Sequence, residues 1–145
     1  MSHPVPLGFQ YSGIACGIKN SGKPDLAMIV GDQPVVAAGV YTQNVVHAAS
    51  IDWNRARTPG AQLRGVVINS GNANACTGEQ GVADNEEFAR LAATELGSEP
   101  DQILVLSTGI IGEPLPMDKI SVGAQQGGAD LGADDAAFDL SLIHI

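Results

Sequence analysis

The sequence predicts a mixed α/β protein, and three observations carry this prediction. The first 44 residues contain short apolar runs separated by turn residues, which is typical of strands. Further along the chain, two segments repeat apolar residues at helical spacing. Continuous β-branched runs lie before and between these segments, so strands come first and helices then alternate with strands.

Three antiparallel strands are predicted near the N-terminus, over residues 13–18, 26–30 and 35–41. The breaks between them are expected at residues 20–24 and 31–34, because both contain glycine and proline together with other turn-forming residues.

A helix is predicted over residues 48–57, with Ile51 and Trp53 facing the core, and residues 58–60 (T-P-G) end it. The run V-V-I within residues 63–68 is continuous, β-branched and flanked by polar turn formers. This pattern predicts a buried strand that leads into a loop rich in glycine and asparagine.

A second helix is expected to begin at Asp84, because Asp84 and Glu87 resemble a capping box. Its apolar residues recur at helical spacing and Gly97 ends the pattern. These apolar residues are Phe88, Leu91, Ala92 and Leu96.

The last predicted elements are a buried strand over residues 103–106, a loop over residues 107–116 and a short helix over residues 117–126. Pro116 opens this helix, since proline is tolerated at a helix start. No internal repeat or long linker divides the chain, so we expect no domain boundary within it.

Composition excludes several classes of protein. The net charge of −9 and the absence of a basic patch argue against a nucleic-acid partner. No apolar run is long enough to span a bilayer, so no membrane partner is expected. The two cysteines, Cys16 and Cys76, are spaced like neither a disulfide framework nor a metal site, which fits a cytoplasmic protein.

Two polar segments are candidates for a functional site. Residues 69–78 read N-S-G-N-A-N-A-C-T-G and follow a predicted strand. Such a segment is either a rigid loop that satisfies its own polar groups or a loop bordering a ligand pocket.

The second segment begins with S-T-G at residues 107–109, where another strand ends. Gly109 would let the backbone approach a substrate closely, and its N–H could act with the Thr108 hydroxyl on one developing negative oxygen. The alternative is that these residues merely turn the chain.

No cofactor or metal site is predicted. The sequence lacks both a G-x-G-x-x-G fingerprint after a strand and a phosphate-binding loop. His3, His47 and His144 are scattered, with no nearby carboxylate partner expected, so neither metal ligation nor a Ser-His-Asp arrangement is supported. Each is expected to be a surface histidine or one with its hydrogen bonds satisfied.

Taken together, segments in fixed order from residue 8 to about residue 139 resemble the ornithine acetyltransferase/glutamate N-acetyltransferase family. The most specific segments are N-S-G-N-A-N-A-C-T-G and S-T-G-I-I-G-E-P-L-P-M. The others are G-F at residue 8 through G-I-K at residue 17, D-L-A-M-I at residue 25 and Y-T-Q-N at residue 41. The family more often has F-T-T-N at this last position, and A-P-V where A-S-I stands at residue 49.

The resemblance implies an α/β (α+β) fold, a sandwich of β-sheets between helices, which this chain would contain in part. Members cleave themselves before an internal threonine and pass an acetyl group from N2-acetyl-L-ornithine to L-glutamate through that threonine. Bifunctional members also use acetyl-CoA as a substrate. The two self-cleaved chains pair, and a heterotetramer of two alpha and two beta chains is expected.

Carried over by motif, Thr108 would supply its hydroxyl and Gly109 its backbone N–H to the oxyanion hole. Ser107, Gly112 and residues 69–78 would support that site. The family's nucleophilic threonine and main substrate-binding residues lie beyond the end of this chain, so the chain alone is predicted to be inactive. The alternatives are a self-processing aminopeptidase or amidase of the same fold and a non-catalytic binding module.

The last six residues, L-S-L-I-H-I at 140–145, match the in-frame translation of a transposon sequencing adapter. We therefore expect residues 1–139 to be the N-terminal part of an acetyltransferase alpha chain and residues 140–145 to be an artefactual tail. The alternative is a genuine C-terminal strand.

Overall fold

A computed structural model describes residues 6–133 of the chain. These residues form four strands and three α-helices, which confirms the α/β class. In chain order they are β1 (Phe9–Ile14), β2 (Leu26–Ala37), α1 (Ala49–Arg55), β3 (Gly60–Asn72), α2 (Gly78–Leu96), β4 (Ile103–Ile110) and α3 (Met117–Ala129), with a 3₁₀ turn at Pro100–Gln102. The predicted tail at residues 140–145, His3 and His144 lie outside the described residues.

The strands form one sheet in the order β1-β2-β3-β4. β1 pairs antiparallel with β2 and β2 pairs antiparallel with β3, whereas β3 and β4 run parallel. A parallel pair requires a crossover connection, and α2 provides it. The second sheet of the sandwich implied by the resemblance remains an expectation, because residues 6–133 contribute one sheet.

The first strand lies earlier than predicted. β1 ends at Ile14, so the prediction of a strand over residues 13–18 was wrong. The buried carboxylate of Asp25 explains the difference, because it organises the following segment as a loop. Its Oδ1 accepts a hydrogen bond from the Cys16 N–H at 2.8 Å, and its Oδ2 accepts one from the Lys19 N–H at 2.8 Å.

The two predicted strands over residues 26–30 and 35–41 are one strand, β2, which ends at Ala37. The expected break at residues 31–34 is instead a shift of the β2–β3 register between Val30 and Val35. Such an irregularity accommodates a proline inside a strand without ending it.

One face of the sheet carries the hydrophobic core. Alternate residues of β2, β3 and β4 pack there with buried residues of α2 and α3. The strands contribute Leu26, Met28, Val30, Val67, Ile103 and Val105, and the helices contribute Phe88, Ala89, Ala92, Ala93, Ile120 and Ala124. Burying a side chain as large as Phe88 stabilises the fold by roughly 1.5–3 kcal/mol.

The opposite face of the sheet is apolar and partly exposed. The residues between the core positions point to this face because side chains alternate along a strand. They form two rows across the sheet, Ile29–Val66–Leu104 and Ala27–Ile68–Leu106. The first row lines a shallow hollow of about 110 Å³, and Leu106 is 43% exposed.

α2 begins six residues before its predicted start, so the capping box at Asp84 was a wrong prediction. Asp84 is buried inside the helix and accepts a hydrogen bond from Gln80 Nε2 at 2.7 Å. Gly78 and Gly81 lie in the first turn of α2, where glycine is a poor helix former, so the sequence does not indicate the helix start. Packing requires a glycine at position 81. A Cβ there would lie 1.8 Å from Thr77 Oγ1 and 2.6 Å from Asn74 Oδ1.

The remaining boundaries were partly confirmed. Gly97 ends α2 in the left-handed conformation at φ 58°, as glycine does at helix ends. α3 follows Pro116 as predicted and extends three residues further, to Ala129. The predicted loop over residues 107–116 was wrong at its start, because β4 continues to Ile110 alongside β3.

α1 lies within the predicted residues and protects the outer edge of β4. Asn54, not the predicted Ile51, is its buried contact: its Nδ2 donates to the Val105 carbonyl at 2.8 Å, and its Oδ1 accepts from the Val105 N–H at 3.0 Å. Trp53 is partly buried as predicted, and its indole N–H donates to the Ile103 carbonyl at 2.9 Å. The helix thus replaces a neighbouring strand along an otherwise unpaired edge.

Substitution Asn54→Ala is expected to destabilise the fold by about 1–3 kcal/mol for each group of Val105 left unpaired and buried. Urea unfolding followed by the fluorescence of Trp53, the single tryptophan, measures this change. Glu86→Ala, at an exposed position of α2, serves as the control and should shift stability by less than about 0.5 kcal/mol. Equal changes in the free energy of unfolding for the two substitutions would contradict the role of Asn54 in bonding the outer edge of β4.

The two cysteines are expected to differ in reactivity. Burial, together with the hydrogen bond to Asp25, raises the pKa of the Cys16 thiol to about 12, whereas Cys76 is exposed. Because the thiolate is the nucleophile, iodoacetamide at pH 8 should alkylate Cys76 and spare Cys16. Peptide mass spectrometry measures the labelling, and in urea both should react. Equal labelling of the folded chain would contradict the role of Asp25.

Candidate functional site

The ends of β3 and β4 lie side by side because the two strands run parallel. Ser70 pairs with Thr108, and Gly71 pairs with Gly109. The two polar segments that the sequence singled out are therefore neighbours in space, although about forty residues separate them along the chain.

Gly109 occupies a position that admits no side chain. Its φ of +136° is rarely adopted by other residues. A Cβ there would lie 2.3 Å from the carbonyl carbon of Gly71 and 2.5 Å from the nitrogen of Asn72. Close approach of two backbones therefore requires glycine, and the main chain of β3 determines where Gly109 lies.

Thr108 and Gly109 are both exposed at the end of β4. Strand alternation places the Thr108 side chain on the open face of the sheet, with Leu104 and Leu106. The Val105 N–H points away from β3, since it donates to Asn54, and the same alternation directs the Gly109 N–H outward. A side-chain hydroxyl and a backbone N–H of consecutive residues thus lie at an exposed strand end.

Asn72 connects the two segments through its side chain. Its Nδ2 donates to the Glu113 carbonyl at 3.0 Å and to the Pro114 carbonyl at 2.9 Å, while its Oδ1 accepts from the Asn74 N–H at 2.8 Å. Asn72 lies within the predicted supporting segment 69–78, but these contacts were not predicted from the sequence. No local pattern reveals partners that lie 41 and 42 residues away.

Asn74 continues this network to α2. It has φ 47°, a left-handed conformation that asparagine tolerates better than most residues. Its Nδ2 donates to the Gly81 carbonyl at 2.8 Å, and its Oδ1 accepts from the Thr77 hydroxyl at 2.8 Å. The amides of Asn72 and Asn74 therefore satisfy much of the polar segment 69–78, although the buried Asn69 Oδ1 has no partner in it. The segment also borders the exposed end of β4.

A separate pocket of about 330 Å³ lies between the start of α1 and the start of α2. His47 lines it, and the sequence expectation that this histidine has no nearby carboxylate partner was wrong. Its Nε2 lies 2.9 Å from Asp52 Oδ2 and its Nδ1 lies 3.0 Å from the Asn44 carbonyl. The hydrogen bond with Asp52 raises the pKa of His47 and lowers that of Asp52.

This pocket is distinct from the strand end, because Thr108 and Gly109 are not among its lining residues. Within residues 6–133, no group of three or more His, Cys, Asp or Glu side chains could hold a metal ion. In the same part of the chain, no helix combines the length and apolar character needed to cross a membrane.

The sequence pattern of the ArgJ family matches residues 10–140 of the chain. The arginine biosynthesis bifunctional protein ArgJ of Rhodopirellula baltica is 45% identical over 137 residues, which is 94% of this chain and 33% of the relative. The ArgJ protein of Symbiobacterium thermophilum is 49% identical over 135 residues, 92% of this chain and 34% of the relative. The chain thus spans about a third of the length of the curated relatives it matches.

Two solved structures share the fold. Ornithine acetyltransferase from Mycobacterium tuberculosis, crystallised with ornithine, has a TM-score of 0.90 and 39% identity, and the match covers 94% of this chain and 74% of that chain. The ArgJ protein of Bacillus halodurans has a TM-score of 0.87 and 34% identity, with 93% and 70% covered. Because the family pattern matches most of its length, the chain belongs to the ArgJ family.

Proposed function

We propose that this chain is the N-terminal part of an acetyltransferase of arginine biosynthesis, which transfers the acetyl group of N2-acetyl-L-ornithine to L-glutamate. The observation that carries the proposal is the strand end at Thr108 and Gly109, where two hydrogen-bond donors are exposed together on a rigid support. The names of the relatives and of the crystallised ornithine complex support this choice of substrates over an aminopeptidase or amidase reaction.

In the proposed mechanism, Thr108 and Gly109 act on the tetrahedral intermediates. The α-amine of a threonine elsewhere in the complete protein takes the proton of that threonine's own hydroxyl, whose oxygen attacks the acetyl carbonyl, so that the carbonyl oxygen becomes negative. The C–N bond to ornithine then breaks, the proton passes to the leaving amine, and the acetyl group stays on the threonine. The acetyl group then passes from that threonine to the amine of glutamate through a second oxyanion. The Thr108 hydroxyl and the Gly109 N–H donate hydrogen bonds to each oxyanion, which lowers the barrier of both half-reactions.

Acetyl-CoA is a further donor in this proposal, because the relatives are named bifunctional. The same oxyanion hole would serve it, since the reacting group is again an acetyl carbonyl. No resident cofactor is required. A cytoplasmic location accompanies the proposal, because the free thiols of Cys16 and Cys76 suit a reducing compartment.

The nucleophile would be carried by a second chain released by self-cleavage, in a heterotetramer of two alpha and two beta chains. We place that chain on the part of the apolar face that is not already buried, which is formed by Ile29, Val66, Leu104 and Leu106. Ala27 and Ile68, in the same rows, are buried. Thr108 lies on the same face of β4 as Leu106. A chain packed there would bring its own residues next to the oxyanion donors and exclude water from them.

Thr108→Ala in the full-length enzyme is expected to lower kcat about 10²- to 10³-fold with little change in KM, because the oxyanion exists only after attack. Steady-state transfer from acetylornithine to glutamate measures this loss. Thr94→Ala is the matched control, since the Thr94 hydroxyl is exposed on α2 and bonds only to the Arg90 carbonyl one turn earlier. Unchanged turnover of the Thr108 variant would overturn the assignment.

Leu106→Glu should prevent the second chain from packing, because it buries a charge in an apolar contact. Co-purification of a tagged form of this chain with the second chain measures the pairing. Val122→Glu is the control: Val122 is similarly exposed, 50% against 43%, but belongs to α3. Loss of pairing in both variants, or in neither, would contradict the placement on the open face.

A further inference from the structure

We infer that Asn72 is a positioning residue that holds Thr108 and Gly109 in the geometry needed for oxyanion binding. This inference rests on the proposed function and adds to it a residue that does not touch the substrate. Asn72 would act by fixing the segment after Gly109 to the end of β3.

The side-chain amide of Asn72 uses its nitrogen and its oxygen to join the end of β3 to the segment after Gly109. Asn72 is 5% exposed, and its Nδ2 donates to both the Glu113 and the Pro114 carbonyl. Its Oδ1 holds the Asn74 N–H, which anchors the amide from the other side. The Asn72 carbonyl itself accepts a hydrogen bond from Asn69 Nδ2 at 2.8 Å. An amide held at both ends in this way cannot rotate away from its partners.

Residues 71–75 contact residues 109–114 at several points along the chain. At the near end, the Gly71–Asn72 peptide touches the backbone of Gly109. In the middle, the Ala73 N–H donates to the Ile110 carbonyl at 2.8 Å. Residues 109–114 are therefore bonded to residues 71–75 along their length. The Asn72 side chain makes the bonds furthest from Gly109, to Glu113 and Pro114.

The Gly112 N–H adds a further backbone bond, to the Ala75 carbonyl at 2.8 Å. These backbone bonds do not involve the Asn72 side chain, so a variant that changes only this side chain should loosen the segment without detaching it. This permits a test in a folded protein. Oxyanion donors must lie at hydrogen-bond distance from the developing charge, and a displacement of about 1 Å can cost about 10²-fold in rate.

Two substitutions separate the donor function of Asn72 from its size. Asn72→Ala removes all three side-chain hydrogen bonds. Asn72→Asp preserves the shape and the acceptor for Asn74, but it replaces the donor to Glu113 and Pro114 by an oxygen that repels both carbonyls. If Asn72→Asp does not fold, because its buried carboxylate faces two carbonyls, the Asn72→Ala variant still tests the inference.

The experiment measures kcat and KM of the full-length enzyme for acetylornithine and glutamate in Asn72→Ala, Asn72→Asp, Thr108→Ala and the double variants. Each Asn72 variant should lower kcat by about 10²-fold with KM little changed. Combined with Thr108→Ala, an Asn72 variant should add less than its own fold-change, because both act on the same donors. Full multiplication of the two effects would show a merely structural role and overturn the inference.

Asn54→Ala is the matched control, since Asn54 is also a buried amide bonded to the backbone of β4, at Val105. Its effect on turnover should multiply with that of Thr108→Ala, because it does not contact residues 109–114.

The failure of the proposed function and the failure of this inference give different results. A normal rate for Thr108→Ala would overturn the proposed function and this inference with it. A slow Thr108→Ala beside an Asn72→Ala of normal rate would overturn the inference alone.

Discussion

The parallel pairing of β3 with β4 determines where the other parts of this structure lie. A parallel pair needs a crossover, so α2 must pass over one face of the sheet, and its apolar side then covers that face together with α3. Because β3 and β4 run in the same direction, their polar C-terminal ends lie side by side. The exposed donors of Thr108 and Gly109, and the amides beside them, are a consequence of this topology.

Much of the fold could be predicted from local patterns, and the misplaced boundaries share a physical cause. The core strands and the end of α2 at Gly97 follow from apolar runs and from glycine at a helix end. The start of α2 could not be found, because Gly81 is needed for contact with Asn74 and reads as a helix breaker. The loop after β1 depends on Asp25, whose carboxylate bonds groups up to nine residues away.

The candidate site, like the fold, could be predicted from the sequence only in part. Thr108 and Gly109 could be proposed as site residues because their motif and their order along the chain resemble a known family, and the structure shows them exposed on a strand end. Asn72 could not be distinguished from its neighbours, since its role depends on carbonyls that come near it after folding. The expectation that His47 lacks a nearby carboxylate partner was wrong, because the turn into α1 brings Asp52, five residues further along the chain, within 2.9 Å of it.

Both edges of the sheet are occupied where α1 and the segment after α3 meet it. Asn54 and Trp53 cover the outer edge of β4, and Gly132 exchanges two backbone hydrogen bonds with Tyr11 of β1. Gly132 meets β1 at a single residue pair, so this edge is contacted rather than covered, whereas Leu106 on the apolar face is 43% exposed. A further layer stacked on that face would cover it. Released without such a layer, the chain should self-associate through its apolar face, and detergent rather than edge-blocking peptides should disperse the aggregates.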